Sequence, residues 1–138
     1  SRPGGALGRR LLLKVENVMH SGSELPSVLR GTSLREALLV MTEKGLGMTV
    51  ITERDGTLAG VFTDGDLRRT LDRPLDIRTA LVDDVMTIPG RSVSPEILAA
   101  QALKVMEDHK INSLVVLDRE NRPVGALNMH DLLKAGVL

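Results

Sequence analysis

Apolar positions along this chain follow two periods in turn. Leu34, Ala37, Leu38 and Met41 recur at helical spacing, as do Ala99, Ala102, Leu103 and Met106, so each set predicts an amphipathic helix. Two short β-rich runs follow each helix: Met48 to Thr52 and Leu58 to Thr63, then Ser113 to Leu117 and Pro123 to Leu127. The turn-forming strings Glu53-Arg54-Asp55-Gly56 and Asp118-Arg119-Glu120-Asn121 separate the runs of each pair. A second short helix is expected at about Asp66 to Leu71 and again at Asp131 to Ala135, with extended lead-ins near Pro26 to Leu29 and Arg91 to Val93. The starts of the long helices are marked as well. Ser33-Leu34-Arg35-Glu36 reads as a capping box, and Ser94-Pro95 as an N-cap followed by proline at the first helical position.

These elements are one unit written twice. Gly60-Val61-Phe62-Thr63-Asp64-Gly65-Asp66-Leu67 returns as Gly125-Ala126-Leu127-Asn128-Met129-His130-Asp131-Leu132, 65 residues on, and the same offset carries Met41 onto Met106. Asn17-Val18-Met19-His20 matches Asp84-Val85-Met86-Thr87 at an offset of 67, so one loop of the second copy is two residues shorter. Two copies are too few for a solenoid. The fold class expected is therefore α/β (α+β): two tandem βαββα repeats packed as a pseudo-two-fold pair, each covering the other's apolar face. Residues 15–71 form the first repeat, 72–80 a connector and 81–138 the second repeat.

Composition narrows the function classes. Among 138 residues the 18 basic and 18 acidic side chains cancel and are interspersed, which leaves no electrostatic footprint for nucleic acid or an anionic membrane. No apolar run approaches the ~20 residues of a membrane span. Cysteine is absent, which removes disulfides and thiolate chemistry and is compatible with the cytoplasm. Phe62 is the single aromatic residue, so a bound planar base would have to lie against aliphatic side chains, Met or an Arg plane.

Two junctions stand out chemically. Thr63-x-x-Asp66 and Asn128-x-x-Asp131 each fall where a strand ends and a helix begins. One reading is structural: Thr or Asn caps the helix and the carboxylate at N3 completes a capping box. The other is ligand binding, since such a junction offers free N–H groups to an anion and an acceptor-only carboxylate suits a ribose diol. Arg68 and Arg69 follow the first motif and can hold a phosphate or carboxylate, whereas Leu133 and Lys134 stand in the second copy. The string Lys44-Gly45-Leu46-Gly47-Met48-Thr49 either ends a helix or lets a ligand approach the backbone, with Met48 as an apolar wall; its counterpart contains Asn112. His20, His109 and His130 lack metal-ligand spacing, and His130 is of interest because it lies inside the second motif. No nucleophile elbow, P-loop or carboxylate pair argues for catalysis.

In this order, each copy resembles a cystathionine-β-synthase (CBS) domain and the pair resembles a CBS tandem, or Bateman module, from about Val15 onward. The resemblance implies that Thr63 and Asp66 contact the ribose of a bound nucleotide; Asn128 departs from the Thr of the pattern, while Asp131 keeps the acid. The strings Pro3-Gly4-Gly5-Ala6-Leu7-Gly8-Arg9-Arg10, Val18-Met19-His20 and Phe62-Thr63-Asp64-Gly65-Asp66-Leu67-Arg68-Arg69 are similar to the carboxy-terminal half of bacterial D-arabinose-5-phosphate isomerases. That family carries a sugar-isomerase (SIS) domain ahead of a CBS pair, begins synthesis of the octulosonate Kdo, and usually shows His where this chain has Arg2.

The implied function is regulatory. Residues 1–14 would link to a SIS domain and the fragment itself would isomerise nothing. A nucleotide or nucleotide sugar is the expected ligand, with CMP-Kdo preferred as the activated end product and AMP or ATP as the alternative. Thr63, Asp66, Arg68, Arg69, Lys44, Gly47, Met48, Thr49, His20, Asn112, Asn128, His130 and Asp131 are the candidate contacts, with no catalytic residue, metal or required cofactor. A homodimer or larger assembly is expected, with no nucleic-acid or membrane partner. A different class of reading makes the pair a purely structural oligomerisation module with empty sites.

Overall fold

The computed structural model describes residues 8–137. Arg2 and the greater part of the string beginning at Pro3 lie outside the described residues, as does Leu138; residues 8–11 make a helical turn. The first copy then runs α1 (Val15–Val18), β1 (Ser27–Leu29), α2 (Leu34–Lys44), β2 (Met48–Thr52), β3 (Leu58–Thr63) and α3 (Asp64–Leu71). The second has a 3₁₀ turn at Val82–Asp84 in place of α1, followed by β4 (Ser92–Val93), α4 (Ala99–His109), β5 (Ser113–Leu117), β6 (Pro123–Asn128) and α5 (Met129–Lys134). The expected βαββα order therefore holds twice.

Each copy builds a three-stranded sheet in which the outer strand runs parallel to the central one and the hairpin is antiparallel: β1-β2-β3 and β4-β5-β6. Register shifts fall at matching places, between Ile51 and Thr52 and between Val116 and Leu117. The central strands are apolar on both faces because both faces are covered. Ile51 and Phe62 pack under α2, while Leu114, Val116 and Leu127 pack under α4. Met48, Val50, Val61, Val115 and Ala126 belong to a cluster shared by the two copies.

The lead-in of each copy is built into the other copy. Val15 lies fully buried in the second copy's core, and Ala80, Val82 and Val85 lie in that of the first. Their backbones cross over as well: His20 and Ala126 exchange two hydrogen bonds of 2.8 and 2.9 Å, and Thr87 and Val61 exchange two of 2.8 and 3.0 Å. Gly60 and Gly125 exist for this crossing. A Cβ on Gly60 would stand 2.8 Å from the Thr87 carbonyl oxygen, and one on Gly125 would strike Met19 and stand 3.0 Å from the His20 carbonyl oxygen. Gly60 and Gly125 thus admit a neighbouring backbone rather than a ligand, whereas Gly65 lines the cleft between the copies.

The same crossing corrects one expected helix start. Ser94-Pro95 does not open α4, which begins at Ala99 with Gln101 accepting from the Leu98 N–H at 2.8 Å. Residues 95–98 are drawn into backbone bonding with the first copy's lead-in: Val15 N–H donates to Ile97, Glu16 N–H to Pro95, and Ala99 N–H to Leu13. Ser94 instead holds a turn, accepting from the Glu96 N–H at 3.2 Å. At α2 the expected cap forms by half: Ser33 accepts from the Glu36 N–H at 3.1 Å, without the reciprocal bond. The motif helices start two residues earlier than expected, at Asp64 and Met129, because Thr63 and Asn128 are themselves the N-caps.

Candidate functional site

Both motifs form complete capping boxes. Thr63 accepts from the Asp66 N–H at 3.2 Å, and Asp66 Oδ2 accepts in return from the Thr63 N–H at 2.9 Å and its hydroxyl at 3.1 Å. Asn128 and Asp131 repeat the reciprocal pair at 2.9 and 2.8 Å. The remaining carboxylate oxygens reach across the pseudo-two-fold. Asp66 Oδ1 accepts from the Thr87 hydroxyl at 2.8 Å, and Asp131 Oδ1 meets His20 Nε2 at 2.7 Å. Thr87 and His20 are matching positions of the duplicated lead-in, so each motif acid fastens the lead-in of the opposite copy.

The two fastenings differ electrostatically. His20 also meets Glu24 through Nδ1 at 3.1 Å. Partial burial pushes the imidazole pKa down, but the hydrogen bonds and negative charges of Asp131 and Glu24 outweigh it, and the net direction is upward from 6.5. At Asp66 the neutral Thr87 does not titrate, and the charge is met by Arg69, whose Nη2 donates to Oδ1 at 2.6 Å. Lys134, which holds the place of Arg69 in the second copy, makes no such bond to Asp131 among the described residues.

A cleft of about 1100 Å³ opens where the copies face each other. Two pseudo-equivalent backbone ties shape its floor: Asp64 N–H donates to the Gly47 carbonyl at 3.1 Å and Met129 N–H to that of Asn112 at 2.8 Å. Gly47 adopts a φ of 73°, and a Cβ there would stand 3.0 Å from the Asp64 carboxylate. Its apolar lining comes from Ile88, Pro89, Ile111 and Met129, together with Met48, which is only 1% exposed. The rim is cationic: Arg68, Arg69, Arg91 and Lys110 face it against the carboxylates Asp64 and Asp66. Arg68, Arg91 and Lys110 have no carboxylate partner among the described residues. Lys110 closes α4 in the left-handed region at φ 55°, where the first copy uses Gly45.

The cleft gathers most, not all, of the candidate residues. Thr63, Asp66, Arg68, Arg69, Gly47, Met48, Asn112, Asn128 and His130 line it. Lys44, Thr49, His20 and Asp131 do not. Lys44 donates to the Ser23 carbonyl at 2.6 Å and fixes the loop before β1. Thr49 is fully buried beneath α2, its hydroxyl 3.4 Å from the Ala37 carbonyl, because strand alternation turns it away from Met48. His20 and Asp131 hold each other. Sequence reasoning left out Thr87, Arg91 and Lys110. The alignment of Thr87 with His20 and of Lys110 with Gly45 signalled two of them, and nothing in the sequence signalled Arg91.

This architecture defines a tandem CBS pair with one shared, cation-rimmed cleft, and the CBS-domain family model matches residues 15–73 and 82–138: the chain belongs to the CBS-domain family. A similar relative is the arabinose 5-phosphate isomerase KdsD of Pseudomonas aeruginosa, 67% identical over all 138 residues of this chain, which cover 42% of the relative. The chain thus spans less than half the length of that relative. An uncharacterized conserved protein from Pyrococcus horikoshii superposes with a TM-score of 0.80 at 27% identity, over 91% of this chain and 93% of that one. The CBS domain pair of protein MJ0100, solved with 5′-methylthioadenosine and S-adenosyl-L-methionine, shares the fold at a TM-score of 0.79 and 17% identity, over 89% of this chain and 94% of that one. No helix among the described residues is long and apolar enough to cross a membrane.

Proposed function

We propose that this chain is the ligand-sensing regulatory module of a cytoplasmic D-arabinose-5-phosphate isomerase, and that it binds an anionic nucleotide sugar, CMP-Kdo, in the shared cleft. The observation that carries this reading is the cleft itself: about 1100 Å³, rimmed by Arg68, Arg69, Arg91 and Lys110 in a chain of zero net charge. Pockets for small ligands run about 300–1,000 Å³, so this one has room for a nucleotide sugar, and its four lining cations suit a ligand bearing more than one anionic group. A phosphate and a carboxylate would each find a guanidinium or ammonium, a ribose would face the Thr63–Asp66 motif, and the base would lie against Met48 and Ile111. Because the cleft is built from both copies, a ligand that favours one arrangement of the pair can bias an attached domain by its differential affinity, typically about 1–3 kcal/mol.

Calorimetric titration and thermal melting with CMP-Kdo, CMP, AMP and ATP test the proposal. A ligand at ~100 times its Kd should stabilise the fold by about 2.7 kcal/mol and raise Tm by several degrees. CMP-Kdo should do so at the lowest concentration, and Arg68→Ala should weaken it at least tenfold. A stronger response to AMP or ATP would replace the ligand with an adenine nucleotide; the MJ0100 pair was itself solved with two phosphate-free adenosine derivatives. No response to any of them at millimolar concentration would leave the pair as a structural module. Sedimentation at micromolar concentration should show a dimer or larger species, and a lone ~15 kDa monomer would argue against side-by-side association.

A further inference from the structure

From the bonding around Asp66 we infer that Arg69 is a gate: it closes the first motif to nucleosides and opens it to ligands that carry a phosphate. This inference rests on the cleft being a nucleotide site. Asp66 is 5% exposed, and its two oxygens already accept four hydrogen bonds, from the Thr63 N–H, the Thr63 hydroxyl, the Thr87 hydroxyl and Arg69. Three of those donors are fixed by the capping box and by the crossing lead-in. Arg69 is the exception, since its side chain is 69% exposed and lines the cleft while its Nη2 reaches inward to Oδ1. A ribose diol can therefore gain the carboxylate only where Arg69 gives it up.

What permits that exchange is chemical. A neutral nucleoside offers Asp66 new donors but leaves the guanidinium without an acceptor, so it must compete with a charge-assisted bond of 2.6 Å. A nucleotide supplies both halves: its diol donates to Asp66 and its phosphate accepts from Arg69, two N–H groups at once where the fork geometry allows. The phosphate is thereby read twice, once as a charge and once as the group that releases the acid. The second copy has no such gate, because Asp131 is met by His20 and Lys134 makes no bond to it among the described residues.

Calorimetry with CMP, cytidine, AMP and adenosine on the wild type, Arg69→Ala and Arg68→Ala tests this. Arg69 is exposed, so its removal should leave a folded chain, to be verified by melting. In wild type each nucleotide should bind at least ~30-fold more tightly than its nucleoside. Arg69→Ala should weaken the nucleotide at least tenfold and, because Oδ1 then accepts from Thr87 alone and has one position open, tighten the nucleoside at least threefold. Arg68→Ala, lacking any bond to Asp66, should weaken the nucleotide without tightening the nucleoside. Nucleoside affinity unchanged or reduced in Arg69→Ala would overturn the gate while leaving a nucleotide site intact. Failure of every probe to bind any of the three proteins would instead overturn the nucleotide reading, and the gate with it.

Discussion

The substitution His20→Thr places at one crossing the residue that the other crossing already has, and so isolates what the imidazole adds. His20 Nε2 lies 2.7 Å from Asp131 Oδ1, with side-chain exposures of 28% and 9%. A hydrogen bond to a charged group contributes roughly 1.5–3 kcal/mol, and solvent screening of the partly exposed ring brings the estimate down to about 1–1.5 kcal/mol. A hydroxyl in its place, bonded as Thr87 is, retains about 0.5 kcal/mol of this or somewhat more. The difference of roughly 0.5–1 kcal/mol corresponds to a Tm about 2–5 °C lower in a chain of this size. Its pH dependence has a definite sign. The folded-state pKa of His20 is raised, so the extra stability is fully present below 6.5 and is lost as pH rises through the folded value. Above it the neutral ring still donates an ordinary N–H bond, which makes the loss partial. Differential scanning calorimetry of both proteins from pH 6 to pH 9 should show the gap in Tm narrowing toward zero. A gap that stays constant, or widens with pH, would refute the assignment of a charged His20 to this contact.

Other outcomes follow from the same geometry. Lys110→Gly removes a left-handed non-glycine residue and should stabilise the fold by roughly 0.5–1 kcal/mol while weakening CMP-Kdo binding, read by melting and calorimetry on one sample; lower stability would mean that the φ of 55° carries no strain. Gly60→Ala and Gly125→Ala each force a Cβ against a crossing backbone, and each should cost about 1–3 kcal/mol in denaturant titration, whereas no loss would disprove the tight crossing. Thr87→Val deletes one donor to a buried carboxylate and should cost about 1–2 kcal/mol, a loss expected to be independent of pH between 6 and 9. Asp66→Ala should reduce nucleotide affinity at least tenfold and also lower Tm without ligand, because Asp66 fastens the second copy's lead-in as well as capping its own helix.

Much of this protein is legible in its sequence. Leu34, Ala37 and Met41 at helical spacing, continuous apolar strands and turn strings between them specify the elements, since side-chain burial has the period of the secondary structure. The duplication at an offset of 65 residues specifies two like units, and Thr63-x-x-Asp66 and Asn128-x-x-Asp131 specify caps through bonds only three residues long. What tertiary structure decided is everything that joins residues distant in the chain. Nothing near His20 foretells Asp131, which lies 111 positions away. Nothing near Ser94-Pro95 foretells that Leu13 and Val15 take up the backbone groups a helix start would have used. The same limit governs the candidate site: Lys44 is engaged by Ser23, Thr49 by Ala37, and His20 and Asp131 by each other, outside the cleft lining, while Thr87, Arg91 and Lys110 reach the cleft through the pairing of the copies. Local bonding is fixed by neighbours in sequence; the cleft and its fastenings are fixed by how two copies exchange their first segments.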